Sequence, residues 1–154
     1  MIDGVPISLK PSNGARHQLL LGHLAIKVND SLKQNCPDFI AIHSLDWIVD
    51  EHTVIRPDIS IIPHDIADFI TSPPSLIVEI LSPSTAHKDR IVKHDIYAEQ
   101  GVKYYIIADP TTLTFQPYQL VDSKYQDYSA STFEIHPGCT IAIDVLRALE
   151  GLIA

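Results

Sequence analysis

The chain has 154 residues, 45% of them hydrophobic, and a formal net charge of −8. That is enough apolar material for one globular domain, and the wrong sign for a protein that grips nucleic acid by bulk charge alone. No apolar run is long enough to span a bilayer, and residues 1–10 lack the basic-then-apolar order of a secretory leader.

Two cysteines, Cys36 and Cys139, are too few for a disulfide framework. The two could pair in principle, but reduced, buried thiols and a cytoplasmic location are expected. Residues 2–9 alternate loosely around the turn signal Asp3-Gly4 and read as a short strand. Residues 11–14 are a breaker cluster, with Ser12 or Asn13 able to cap a helix over 15–33. Leu20, Leu24, Val28 and Leu32 recur there at a four-residue step. Residues 39–43 read as a strand that 44–50 continue in bent form. Pro57 sets up a strand over 59–62 that is apolar on both faces. A loop or single helical turn is expected over 64–75, and a second doubly apolar strand over 76–81. Its one interruption is Glu79.

Ser84 or Thr85 can cap a helix over 87–100, with Val92 and Ile96 as its inward stripe and Gly101 as its stop. Residues 102–108 form the third doubly apolar strand, expected to run parallel to 76–81 through a right-handed crossover. The remainder alternates strand-fashion: 113–121, a hairpin turn at 122–124, 125–129, and two strands around Pro137-Gly138. Asp144 caps a last short helix over 145–149. The whole reads as one α/β (α+β) domain over 1–154, with a mixed central sheet flanked by helices and antiparallel C-terminal strands.

A carboxylate inside a doubly apolar strand is costly unless something uses it. Glu79 is either half of an ion pair, with Arg56 for example, or a metal ligand. Asp58 alone is ordinary turn chemistry, and it gains weight only if its strand neighbours that of Glu79. Two hard carboxylates together suit Mg²⁺ or Mn²⁺. Asp89, Lys93 and Tyr97 are spaced by four and share a helix face. That face is either a solvated stripe or one edge of a site in which Lys93 polarises an attacking water. The eight histidines make no zinc pattern. His17, at the start of the first helix, is the one placed to approach such a site.

Taken in order, Pro57-Asp58, Val78-Glu79-Ile80-Leu81-Ser82-Pro83-Ser84-Thr85, Asp89-x-x-x-Lys93-x-x-x-Tyr97, Gly101-Val102 and 105–110 resemble the Uma-type restriction endonuclease domain of the PD-(D/E)XK nuclease superfamily. The resemblance covers most of the chain. It implies a restriction endonuclease-like fold and Mg²⁺-dependent (or Mn²⁺-dependent) hydrolysis of DNA. Asp58, Glu79 and the carbonyl of Ile80 would hold the metal, with Asp58, Glu79 and Lys93 as the catalytic set. The superfamily's lysine two residues after the second acid is replaced here by Leu81, so Lys93 takes that role from the following helix. Its early-helix acid has no counterpart, and His17 stands nearest to it; Asp89 and Tyr97 are supports. The chain begins at the Asp-Gly turn, so a segment common at the family's N-terminus is expected to be missing. A homodimer is expected, since double-strand cleavage needs two sites. The alternatives are a catalytically inactive binding or assembly module that keeps the nuclease fold, and a metal-dependent hydrolase acting on another substrate.

Overall fold

The four-residue apolar step does build the first helix, α1 (Ala15–Asn35). Leu20, Leu24, Val28 and Leu32 are all buried along one side. Gly14 occupies the N-cap without a side-chain cap, and the helix ends where Pro37 forbids another turn. The computed structural model describes residues 1–5, 14–65, 67–82 and 86–150, the side chains of 86–89 and 145–146 excepted. The expected caps Ser12, Asn13, Ser84 and Thr85 and the rest of the first predicted strand lie outside the described residues. Ile2 and Val5 bridge across the Asp3-Gly4 turn.

After α1 come β1 (Phe39–His43), β2 (Trp47–Ile48), β3 (Val54–Ile55), β4 (Ile59–Pro63) and β5 (Leu76–Ile80). Helix α2 (Ala86–Glu99) and strand β6 (Tyr104–Asp109) follow. The chain closes with β7 (Thr114–Val121), β8 (Lys124–Asp127), β9 (Thr132–His136), β10 (Cys139–Ala142) and α3 (Val145–Glu150). Six strands form one sheet in the order β1-β4-β5-β6-β7-β8. Only β5 and β6, joined through α2, run parallel; the other pairs are antiparallel. Strands β9 and β10 make a separate hairpin, and β2 and β3 another. No described helix is long and apolar enough to cross a membrane.

Strand alternation divides the core in two. One face carries Ile59, Ile61, Leu76, Val78, Ile80 and Ile106, and packs on α1 and the β9–β10 hairpin. The opposite face carries Ile62, Ile77, Tyr105 and Ile107, and packs on Tyr97 of α2 and on Trp47. Glu79, between Val78 and Ile80, points to this second face. Asn29 of α1 ties the helix to the outer strand: its side-chain amide donates to the Ala41 carbonyl and accepts from the Ala41 N–H, both at 2.9 Å.

Three expectations need correction. Residues 44–50 do not prolong β1, because Ser44 takes a positive φ of 54° and the chain turns away there. The β2–β3 hairpin results, and Trp47 of β2 bridges to Ile70 in the following loop. The inward stripe of α2 holds Ile96, which packs on the second face of the core as expected, but not Val92, which is 38% exposed; Tyr97, 0% exposed, turns inward instead. Lys93 and Tyr97 turn toward the sheet as well, and both donate to Glu79. Cys36 and Cys139 are not reduced thiols but form a disulfide. The fold brings the end of α1 to the start of β10, with Cα atoms 5.4 Å apart, inside the bonding range. A sequence separation of 103 residues hides that proximity. One support for a reducing compartment goes with it.

Candidate active site

The antiparallel β4–β5 register pairs Ile59 with Val78 and Ser60 with Ile77. One step further along the same register sets Asp58 across from Glu79. Pro57 fixes the backbone immediately before this point. The neighbourhood expected of the two acids is therefore what the sheet produces.

Asp58 is held through one oxygen. Its Oδ2 accepts the Ile80 N–H at 2.7 Å and lies 3.3 Å from Nε2 of His17. Burial alone would raise the Asp58 pKa. The bonds from His17 and Ile80 and the charge of Lys93 outweigh it, so the carboxyl sits below the usual aspartate range. His17 comes from the first turn of α1, packed on the other face, and reaches round the end of the sheet. It is 4% exposed, and its Nδ1 finds no partner among the described residues. With Asp58 ionised, the proton on His17 belongs on Nε2, which then donates.

Glu79 is held differently. Its Oε1 accepts from Lys93 Nζ at 2.9 Å and from the Tyr97 hydroxyl at 2.5 Å, a charge-assisted distance. Lys93 also donates to the Arg56 carbonyl at 3.5 Å. Desolvation pushes the Glu79 pKa up and the Asp58 charge adds to it; Lys93 and Tyr97 oppose, and the net direction is up. Tyr97 is pushed well above the ordinary tyrosine value, by burial first and then by Glu79, so it remains a donor. Two facing carboxyls with pKa values driven apart are a mark of a working site. Arg56 does not pair with Glu79; its guanidinium binds Asp46 at 2.7 and 3.1 Å.

Among the described residues no group of three or more His, Cys, Asp or Glu forms a metal cage. The donor set nevertheless fits a cation that keeps most of its water. The hydrogen bonds given above fall on Oδ2 of Asp58 and Oε1 of Glu79, which leaves Oδ1 and Oε2 as hard donors. Mg²⁺ and Mn²⁺ are commonly held by one or two such carboxylates plus water and substrate phosphate. The Ile80 amide is placed at the site by its bond to Asp58. The side chain of Asp89 lies outside the described residues. The Ile80 N–H as the clamp on Asp58 was not anticipated; backbone donors leave no trace in residue identity.

A cation held by Glu79 would displace a proton that this carboxyl retains more strongly than an ordinary glutamate. Mn²⁺ affinity is therefore expected to fall as pH drops through the raised Glu79 value. Asp58, depressed, stays ionised over that window. Titration calorimetry at pH 7.5 and pH 5 measures this, and equal affinities would remove Glu79 from the metal site.

No curated protein matches the chain. Among solved structures, it is similar to a putative nuclease belonging to DUF820 from Anabaena variabilis ATCC 29413. The TM-score is 0.75 at 17% identity, over 96% of this chain and 87% of that one. At that identity the likeness shows the fold, a mixed sheet flanked by helices with antiparallel strands after it. The sequence match is to the Uma2 family, described as "Putative restriction endonuclease", over residues 1–144. With its family model covering nearly the whole chain and the order of motifs intact, the chain belongs to the Uma2 family.

Proposed function

We propose that the chain is a Mg²⁺- or Mn²⁺-dependent endonuclease that hydrolyses phosphodiester bonds in DNA. The observation that carries this is Glu79, a buried carboxylate facing Asp58 across two strands and bound by Lys93 and Tyr97. Family membership supports the same chemistry.

Asp58 and Glu79 would hold the cation, with the Ile80 carbonyl as a third oxygen. When bound, the metal supplies charge stabilisation at the phosphoryl oxygen and a more acidic water. The chain's own residues do the positioning. The Ile80 N–H and His17 fix the rotamer of Asp58, so its free oxygen is preset. Tyr97 fixes Glu79 and keeps bulk water off its inner oxygen. Lys93 brings an ammonium to the edge of the carboxylate pair, where it donates to the attacking water or to a non-bridging phosphate oxygen. Cleavage of both strands requires two such sites, so a two-fold pair of chains is part of the proposal.

The direct test is supercoiled plasmid with Mg²⁺ or Mn²⁺, for the native chain and for Lys93→Ala. Loss of the ammonium is expected to slow cleavage by roughly 10²- to 10³-fold. A Lys93→Ala chain that cuts at the native rate would remove lysine from the chemistry.

One observation favours a second reading. A net charge of −8 opposes docking on a polyanion, as expected of a member that keeps the fold and lacks cleavage. That reading predicts no Mn²⁺ binding that depends on Asp58, and calorimetry on Asp58→Asn separates the two.

A further inference from the structure

Helix α2 carries a cationic or aromatic polar group at each step along its inward side: Arg90, Lys93, His94 and Tyr97. Two of these fix how the helix lies. Lys93 reaches Glu79 on β5. The His94 ring packs edge-on against Tyr105 of β6 and Tyr125 of β8, with centroids 6.1 and 5.1 Å apart. The face from 90 to 97 thus straddles the sheet from β5 to β8.

The run of the chain places Arg90 along this face. Strands β5 and β6 are parallel and α2 returns between them, so the N-terminal turns of α2 lie at their C-terminal ends. Glu79 and Asp109 stand at those ends. In open sheets with such crossovers, the crevice beyond the strand ends is where ligands bind. Arg90 is half-buried and makes no direct ion pair among the described residues. Hydrogen bonds from Thr111 and Thr112 hold the Asp109 pKa down against burial, with the Arg90 charge as a minor addition, and the same charge opposes the burial-driven rise in that of Tyr105. Tyr105 is 0% exposed, its hydroxyl has no partner among the described residues, and it senses Glu79 as well as Arg90. Arg90 stands three residues before Lys93 and seven before Tyr97, both bound to Glu79, so it shares their helix face and lies on the same side of the sheet as the carboxylate site.

A guanidinium in that position matches a phosphate group, which it can bind through two parallel N–H donors. It precedes Lys93 by three residues, so the two cations are neighbours on one helix face. We propose that Arg90 binds the backbone phosphate next to the scissile one, and so sets the register of the strand over Asp58, Glu79 and Lys93. It is a substrate-positioning residue, and this inference rests on the nuclease reading above. In a chain of net negative charge, each phosphate contact made by an individual cation carries a large share of the affinity.

The test compares the native chain, Arg90→Gln and Arg90→Lys. Anisotropy of a labelled 20-base-pair duplex is followed from 50 to 200 mM salt, and cleavage kinetics are measured with Mg²⁺. Arg90→Gln is expected to weaken duplex binding about tenfold at low salt and to raise KM in step. It is expected to flatten the slope of log K against log salt by about 0.9, one phosphate contact. Arg90→Lys restores the slope, because charge is retained, but not the full affinity, because the fork is lost. An unchanged slope and affinity in Arg90→Gln would overturn the inference and leave the nuclease reading intact. A native chain that binds duplex with this slope change but never cuts would overturn the nuclease reading alone. A native chain that neither binds nor cuts duplex would overturn both.

Discussion

Glu79→Gln is expected to abolish metal-dependent cleavage, with a fall of about 10³-fold or more in the single-turnover rate. The amide has the shape of the acid and its oxygen can still accept from Tyr97, so packing is preserved. What disappears is the charge. The proposed cation would lose one of its two carboxylates, and the Lys93 ammonium loses the carboxylate 2.9 Å away. The Lys93 side chain is only 18% exposed, so that loss also carries a stability cost of about 1–3 kcal/mol. Rapid-quench cleavage reads the first effect and a urea melt the second. Near-native cleavage by the glutamine variant would place the metal site elsewhere. A large stability loss with native activity would make Glu79 a structural ion pair.

Reduction of the Cys36–Cys139 disulfide is the other large effect. The bond joins the end of α1 to β10 and closes a loop of more than a hundred residues. Chain-entropy reasoning assigns such a link roughly 4–5 kcal/mol. For a chain of this length that corresponds to a fall of about 10–20 °C in melting temperature. Melting with and without dithiothreitol measures it, with Cys36→Ala/Cys139→Ala as the control insensitive to reductant. The site should tolerate reduction better than the hairpin does. Asp58 and Glu79 are braced by β4–β5 pairing, by α2 and by His17 in the first turn of α1, at the end of that helix away from Cys36. An unchanged melting temperature would mean that packing of Phe133, Ile135 and Ile141 already holds the hairpin.

The carboxylate pair was legible because its cost was legible. A glutamate amid Leu76, Ile77, Val78 and Ile80 has to be partnered, whereas the pairing of its strand with the one after Asp58 emerged only from the sheet. Lys93 stood out through its spacing to Tyr97 and the family resemblance together. The phase of α2 was legible in part: Ile96 packs inward as its hydropathy suggests, but Val92 is exposed, while Lys93 and Tyr97 turn in and bond Glu79, a group on another element. The disulfide was hidden for a similar reason. Cys36 and Cys139 meet only after the sheet has formed, and their spacing in sequence carries no sign of it. Backbone donors such as the Ile80 N–H are invisible in sequence altogether. Local periodicity thus gave the elements and polar cost gave the acids, while contacts between distant elements set the rotations and pairings.

The amide of Asn29 imitates a peptide group. By donating to and accepting from Ala41, it fills an outward hydrogen-bonding position on β1, an outer strand of the six. An intruding strand from another molecule would have to expel a side chain anchored on α1, which is packed against the sheet, to pair at that rim. Growth of the sheet from copy to copy is thereby blocked along β1. If two copies join by extending their sheets, the join falls at β8, the opposite rim, and Asn29→Ala would open a second route to association that the native chain keeps closed.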